Sequence, residues 1–232
     1  MTITAIILAS GRGDRFLSVI PKQFLSLEGK PILAYSLEAY ENNPHISEII
    51  LVMNPEYMNI YEKWIPKKNY PKLSTVIPGG LTRQQSSFEG IKVCSPEATH
   101  VLIHDAARPL ISQRIINDCV KKLQKVAAVS TVIPANDTIY EIDSKHHLKH
   151  IPDRRYLCQV QTPQGFKFEC IREAHELSLR DNRFDITDDA SLVFAYQLST
   201  IGLVQGDPEN IKITYPQDLE LAKMLLKSVN QK

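Results

Sequence analysis

A glycine-containing loop near the amino terminus carries residues suited to binding phosphate. The segment Leu8-Ala9-Ser10-Gly11 leads to Gly13 and Arg15, and Lys22 follows shortly after. Backbone N–H groups at such glycines can approach phosphate oxygens, and the two basic side chains supply the charge that a triphosphate needs. The alternative is a basic, flexible loop without a ligand, since glycine pairs are common in loops.

A second polar stretch, residues 79–86, is suited to recognising a base. Gly80 allows close backbone approach, and Arg83 and Ser86 add hydrogen-bonding side chains. The alternative is a glycine turn followed by a helix that Thr82 caps, because caps need the same residue types.

The third candidate is the segment 104–109, where Asp105 follows an apolar run. A carboxylate at the end of a central strand can orient a metal–phosphate complex or a substrate hydroxyl, and Arg108 can pair bidentately with a phosphate. Asp105 is therefore a possible metal ligand. A buried Asp–Arg ion pair beside a turn is the alternative.

The remaining candidates are more scattered. A threonine hydroxyl and an arginine suit a phosphomonoester, and Thr138, Arg154 and Thr162 supply them, although solvated surface charge explains isolated residues equally well.

Lys212 lies among β-branched residues in a predicted short strand, 210–214, from which its ammonium could reach a cleft; an ordinary edge-strand lysine is the alternative. The acidic stretch 187–191 is better explained as a helix N-terminus than as a site.

The elements that must position these residues alternate between short apolar runs and amphipathic stretches. Strands are predicted at 3–8, 48–53, 75–77, 100–104, 127–133 and 199–204, and helices at 31–40, 82–93, 112–126, 169–179, 187–196 and from Pro216 onward. This alternation predicts an α/β fold with a doubly wound, mostly parallel, Rossmann-like sheet, which binds ligands at the carboxyl ends of its strands.

The alternation stops between about residues 136 and 160. Three β-like pieces, 138–142, 147–151 and 156–160, follow one another with turn residues between them and no helix. We expect an antiparallel arm inserted into a single domain of residues 1–232.

Composition narrows the possible partners. The chain has 232 residues, 43% of them hydrophobic, and a net charge of +1, so bulk electrostatics favour neither nucleic acid nor membrane. The four cysteines lack paired metal spacing and are interpreted as reduced thiols of a cytoplasmic protein. No Ser/His/Asp or Cys/His arrangement stands out. The candidates together indicate a site for two anionic substrates without a protein nucleophile.

These motifs, in this order, resemble the cytidylyltransferases of sugar-alcohol phosphates, most closely those acting on 2-C-methyl-D-erythritol 4-phosphate in non-mevalonate isoprenoid synthesis. The resemblance implies a Mg²⁺-dependent reaction of CTP with that polyol phosphate. It implies that Arg15, Lys22 and Lys212 are catalytic, that CTP is bound by Leu8, Ala9, Ser10, Gly11, Gly13, Arg15, Lys22, Gly80, Arg83, Ser86, Asp105 and Lys212, and that the acceptor is bound by Asp105, Arg108, Thr138, Arg154, Thr162 and Lys212.

The resemblance also implies a homodimer, in which Arg154 and Thr162 reach the acceptor in the partner's site. Two departures concern the acceptor: residues 151–154 and 159–161 look partly like the ribitol 5-phosphate cytidylyltransferases of cell-surface polymer synthesis. Ala106 and Ala107, in contrast, match the methylerythritol enzymes. Three alternatives stay open: a ribitol phosphate cytidylyltransferase, a non-catalytic nucleotide-binding domain, and a Rossmann dehydrogenase, which Phe16 in the third-glycine position disfavours.

Overall fold

A seven-stranded mixed sheet forms the centre of the molecule. The structure, a computed structural model, describes residues 1–11, 16 and 21–229. The strands of the large sheet are β1 (Ile3–Ala9), β4 (Glu48–Met53), β5 (Leu73–Pro78), β6 (His100–Asp105), β7 (Ala128–Pro134), β10 (Cys158–Lys167) and β11 (Ile201–Gln205). Their order is β11-β7-β10-β6-β1-β4-β5, and every neighbouring pair is parallel except the two that include β10. The predicted α/β, mostly parallel sheet is confirmed.

Helices cover both faces of the sheet. They are α1 (Ile32–Glu41), α2 (Arg83–Lys92), α3 (Gln113–Leu123), α4 (Phe168–Arg180), α5 (Asp189–Ala195) and α6 (Pro216–Val229). Side chains alternate along β1, so that Ile7 packs in the layer containing α1 and α3, whereas Ile6 packs with α2, α4 and α5. Every residue of β1 and β6 is buried, which explains why these strands are continuous apolar runs.

Local sequence explains where α2 begins. Thr82 accepts a hydrogen bond from the backbone N–H of Gln85, and the Gln85 side chain accepts one in return from the Thr82 backbone, which completes a capping box. The cap predicted from Thr82 is confirmed. It fixes the helix start directly after Gly79 and Gly80, so the first turn of α2 faces the carboxyl edge of the sheet.

The arm contains a small antiparallel pair, β8 (Glu141–Ile142) with β9 (Leu148–His150), followed by a 3₁₀ turn at Arg154–Tyr156. A further short pair, β2 (Ser26–Leu27) with β3 (Lys30–Pro31), lies before α1. The third predicted piece of the arm is wrong in part, because residues 158–160 open β10 of the large sheet. The prediction also failed to place a strand across residues 161–167, in the middle of that sheet.

The predicted strand at 210–214 is wrong. This segment is irregular, and its backbone is used by neighbouring loops: the N–H of Ile213 donates to the carbonyl of Ala107, 2.8 Å away. The consequence is that Lys212 is placed by a crossing loop beside the end of β6. Within the residues that the structure describes, no helix is both long and apolar enough to cross a membrane.

Candidate active site

A cleft of about 850 Å³ opens at the carboxyl ends of β1, β5 and β6. Loops after these three strands form its walls, and the 210–214 segment closes one side. This is the edge at which open α/β sheets bind ligands. The lining residues include Leu8, Ala9, Ser10, Gly11, Lys22, Gly80, Arg83, Asp105 and Lys212, all of them predicted from the sequence. Gly13 and Arg15 lie outside the described residues.

Two of the three predicted catalytic residues converge in this cleft. The Lys22 ammonium, at the start of a 3₁₀ turn, donates to the carbonyl of Ile213 at 3.0 Å, directly beside Lys212 in the chain. The Lys212 ammonium lies 2.7 Å from the Asp105 carboxylate. Residues separated by almost the whole chain thus place two positive charges in one cavity, as a site for anionic substrates requires.

A row of alternating charges, which we call the ion ladder, begins in the cleft and continues into the interior: Lys212, Asp105 and Arg83 line the cleft, and Asp189 is buried beyond Arg83. Arg83 bonds Asp105 through Nε at 3.0 Å and Asp189 through Nη1 at 2.7 Å. Burial alone would raise the pKa of Asp105, but Arg83 and then Lys212 outweigh it and hold that pKa well below its usual range. Asp105 is therefore a carboxylate at any physiological pH.

His104 and Thr162 are linked to Asp105 by hydrogen bonds. A carbonyl only accepts, so His104 Nε2 carries the proton and donates to the carbonyl of Arg108 at 3.1 Å. Nδ1 then accepts from the Thr162 hydroxyl at 3.0 Å, whose oxygen accepts from the Asp105 N–H at 3.1 Å. Burial is the main reason that the pKa of His104 falls to about 4, so the ring is neutral.

The structure places Thr162 in β10 rather than in the arm, which corrects its predicted position. Thr162 is buried, and its hydroxyl is bonded to His104 and to the Asp105 N–H of its own chain. Its contact with the acceptor in a partner's site stays a prediction.

The other wall of the cleft brings the first loop close to α2. The Ser10 hydroxyl donates to that of Ser86 at 2.8 Å, and Ser86 donates to the carbonyl of Thr82 at 2.9 Å. A Cβ at Gly79 would lie 2.5 Å from that of Ser10, so only glycine permits this approach. Ser86 is fully buried beneath the cleft, which differs from its predicted contact with the base. It positions Ser10 and the Gly79-Gly80 turn instead.

The remaining predicted acceptor residues do not line the cleft of their own chain. Arg108 donates to the carbonyl of Asn210 at 2.7 Å and to that of Val160 at 3.3 Å, so its guanidinium ties two segments together. Thr138 is exposed at the start of the arm. Arg154 is also exposed, and donates to the carbonyl of Asn136 at 3.1 Å.

Comparison with known proteins decides between the chemical classes that this geometry allows. The IspD family model, described as 2-C-methyl-D-erythritol 4-phosphate cytidylyltransferase, matches residues 3–228. The chain belongs to this family. The chain is therefore a cytidylyltransferase, and the non-catalytic and dehydrogenase alternatives are set aside.

Relatives of the IspD family resemble the chain over nearly its whole length. A 2-C-methyl-D-erythritol 4-phosphate cytidylyltransferase of Lachnospira eligens is 43% identical over 225 residues, which cover 97% of this chain and 99% of the relative. One from Caldanaerobacter subterraneus is 39% identical over 228 residues, covering 98% and 100%. The crystal structure of 4-diphosphocytidyl-2C-methyl-D-erythritol synthase from Anaerococcus prevotii superimposes with a TM-score of 0.86 at 31% identity, covering 97% and 96%.

One buried acidic residue was missed as part of the site. The sequence predicts an acidic helix N-terminus at 187–191 rather than a site, yet Asp189 is 1% exposed and pairs with Arg83. Asp188 caps α5 by accepting from the Ser191 N–H. Two adjacent aspartates are typical of an acidic helix N-terminus, and nothing local indicated that the second one turns inward.

The donor set of the cleft fits a magnesium ion that arrives with a nucleotide. Asp105 and Glu56 are the carboxylates that line the cleft within the described residues. Over the same residues, no group of three or more His, Cys, Asp or Glu side chains is arranged to hold a metal. Mg²⁺ is commonly held by one or two carboxylates together with substrate phosphates. Asp105 suits that minor role, because each oxygen keeps a lone pair beyond its bond to Arg83 or Lys212.

Proposed function

We propose that the chain transfers the cytidylyl group of CTP to 2-C-methyl-D-erythritol 4-phosphate and releases pyrophosphate. Membership of the IspD family supports the reaction class. The observation that carries the proposal for this cleft is the convergence of Lys22 and Lys212 at the end of β6, next to the turn at Gly79 and Gly80.

The mechanism needs charge neutralisation rather than a protein base. An oxygen of the acceptor phosphate attacks the α-phosphorus of CTP and forms the new P–O bond. The bond from the α-phosphorus to the bridging oxygen breaks, and its electron pair leaves on pyrophosphate. A phosphomonoester dianion is already nucleophilic near neutral pH, so the chain must bring two anions together and stabilise the charge that gathers at the α-phosphate.

Lys22 and Lys212 supply that positive charge, and Arg15 joins them in this proposal on the resemblance alone. Lys212 is held by Asp105 at 2.7 Å, so its ammonium is already directed into the cleft before substrate binds. When bound, Mg²⁺ would lower the charge of the departing pyrophosphate, with Asp105 as its protein ligand.

The proposal includes a homodimer whose arms exchange. The arm carries exposed apolar side chains, among them Ile139, Tyr140, Ile142, Leu148 and Ile151, which water disfavours and a second copy would cover. Arg154 is exposed on the same arm and would hold the acceptor phosphate of the partner's site. Sedimentation of the wild-type chain and of Ile142→Lys tests this: we expect a dimer that the substitution dissociates, and a monomeric wild type would contradict it. We also propose that the protein is cytoplasmic, in line with the interpretation of its four cysteines as reduced thiols.

A pyrophosphate-release assay tests the reaction and its acceptor together. We expect release with CTP, Mg²⁺ and 2-C-methyl-D-erythritol 4-phosphate, and at least about tenfold lower kcat/KM with ribitol 5-phosphate, since loss of matched hydrogen bonds costs about that much. Preference for ribitol phosphate would replace the acceptor and keep the reaction. Tight CTP binding without release would indicate a nucleotide-binding domain.

A further inference from the structure

The guanidinium of Arg83 is shared between two carboxylates that are far apart in the chain. Nε donates to Asp105 at 3.0 Å and Nη1 to Asp189 at 2.7 Å. Arg83 lines the cleft, whereas Asp189 does not. The third nitrogen, Nη2, is buried and has no hydrogen-bond partner within the described residues. Arg83 thus has one nitrogen whose N–H groups are unused, while its other two nitrogens are bonded to carboxylates.

Asp189 is itself fixed by three surrounding elements. Its second oxygen accepts from the Ser87 hydroxyl at 2.6 Å and from His175 Nε2 at 3.1 Å, which bring in α2 and α4. Its backbone N–H donates to the side-chain Oε1 of Gln164, in β10, at 3.0 Å. The Asp189 carboxylate is buried and bonded at both oxygens, so these bonds fix its position. Its bond to Nη1 therefore fixes the position of the Arg83 guanidinium.

The charge balance gives Asp189 a second effect. Burial alone would raise its pKa, but Arg83 and then the hydrogen bonds from His175 and Ser87 outweigh this and keep it ionised. Asp189 therefore neutralises Arg83 independently of Asp105. Without that charge, Asp105 would be the sole counterion of Arg83 within the described ladder.

We infer that Asp189 is a positioning residue of the cytidylyltransferase: it fixes Arg83 at the nucleotide side of the cleft, with Ser87 and His175 holding the carboxylate in place. Asp189 touches no substrate and acts through Arg83. The inference rests on the proposed function, in which Arg83 contacts CTP.

The test compares Asp189→Asn, Arg83→Gln and the double variant, with pyrophosphate release measured against each substrate. Asparagine keeps the shape of Asp189 and removes its charge. We expect the KM for CTP to rise about tenfold in Asp189→Asn, as for a lost charge-assisted hydrogen bond, while the KM for the acceptor stays within about twofold. In the Arg83→Gln background the same substitution should change the CTP KM less than about twofold, because the two residues act as one unit.

Asp188→Asn is the matched control. It removes a charge from the adjacent residue, the N-cap of α5, and asparagine caps a helix as well as aspartate does, so the CTP KM should not change. A merely structural role of Asp189 would lower stability to urea or the active fraction without moving the CTP KM. That result, or multiplication of the two single effects in the double variant, overturns the inference.

A milder variant decides the matter if Asp189→Asn does not fold. Ser87→Ala removes one of the bonds that hold the carboxylate, and should raise the CTP KM about threefold, again only when Arg83 is present. An unchanged CTP KM in folded Ser87→Ala overturns the inference. Wild-type activity is recorded in parallel: a wild type that releases no pyrophosphate contradicts the proposed function, whereas an active wild type matched by Asp189→Asn contradicts only the role of Asp189.

Discussion

Arginine–aspartate pairs occur both in the ion ladder of the cleft and in the arm, but their surroundings differ. Arg83 and Asp189 lie 2.7 Å apart with side chains 24% and 1% exposed, whereas Arg155 and Asp153 lie 2.6 Å apart with side chains 78% and 42% exposed. Hydrogen bonds from the Arg155 side chain and then from its backbone lower the pKa of Asp153, and the opposing effect of desolvation is smaller than either. The two ion pairs thus have similar distances, but one is largely buried and the other is exposed to solvent.

The difference shows that distance alone does not indicate what an ion pair does. In the arm, water solvates both partners, so losing one leaves the other without penalty. In the ion ladder, Asp105, Arg83 and Asp189 have lost most of their water and depend on their neighbours, so losing one leaves a buried charge uncompensated. The ladder can therefore hold cationic side chains in place before an anionic substrate arrives, as electrostatic preorganisation requires.

The largest expected effect comes from breaking the ladder at its centre. Asp105→Asn should lower the free energy of unfolding by roughly 3 kcal/mol, since removal of one partner from a buried pair leaves Arg83 uncompensated on that side. Lys212 reaches solvent and contributes less to this loss. Urea unfolding at pH 7 measures it, with Asp153→Asn of the arm as control. Equal unfolding midpoints for both variants would mean that the carboxylates of the ion ladder and of the arm contribute equally to stability.

Removing a lysine from the cleft should mainly affect turnover. We expect Lys22→Ala or Lys212→Ala to reduce kcat at least about 10²-fold, the cost of losing one group that stabilises transition-state charge. Lys121→Ala, on an exposed position of α3, removes the same charge and should leave kcat unchanged. Near-normal turnover in a folded Lys22 or Lys212 variant would refute the catalytic role of that residue.

His104, which supports Asp105 of the ion ladder, makes the stability of the protein sensitive to acid. Its folded-state pKa is lowered to about 4, mainly by burial. In the unfolded chain it takes a proton below about 6.5, so its contribution to stability is complete above that pH and is lost as the pH falls towards 4. Between pH 7 and pH 5, wild type should lose roughly 2 kcal/mol more than His104→Gln.

The exposed arm residue His150 provides the matched comparison for that experiment. His150→Gln should keep the full acid-side loss of the wild type, because the ring is exposed in the arm. Urea unfolding of the three proteins at both pH values separates the outcomes. If His104→Gln retains the wild-type slope, the neutral buried imidazole is not the source of the acid sensitivity.

The smallest expected effect tests the arm itself. Arg154→Ala should raise the KM for the acceptor by about tenfold, as for one lost hydrogen bond to a phosphate, and leave the KM for CTP unchanged. Arg155→Ala, the next residue and already paired with Asp153, should leave both constants unchanged. A shift confined to the CTP constant would show that the arm has been assigned to the wrong substrate.

The parts of the fold that could be predicted from the sequence are those with local causes. β1 and β6 are apolar because both faces are buried, and Thr82 begins α2 through a capping box. β10 could not be predicted, because Pro163 and Gly165 are poor strand residues. The pairing register of β10 with β7 shifts between Gln161 and Gln164. Such an irregularity can accommodate a proline inside a sheet.

The site shows the same division between local and distant causes. Lys22, Gly80, Asp105 and Lys212 follow recognisable motifs, and the cleft contains them all. The burial of Asp189 depends on Arg83, 106 residues away, and the burial of Thr162 depends on a strand that had not been predicted. A helix cap and a buried counterion use the same residue type, so only the tertiary structure distinguishes them.

A crystal structure of the protein with CTP tests the central claim most directly. We expect the triphosphate within hydrogen-bonding distance of both the Lys22 and the Lys212 ammonium groups, and the cytosine against the turn at Gly79 and Gly80. A triphosphate bound elsewhere, or contacting neither lysine, would contradict the proposal that this cleft works by neutralising the charge of two phosphate substrates.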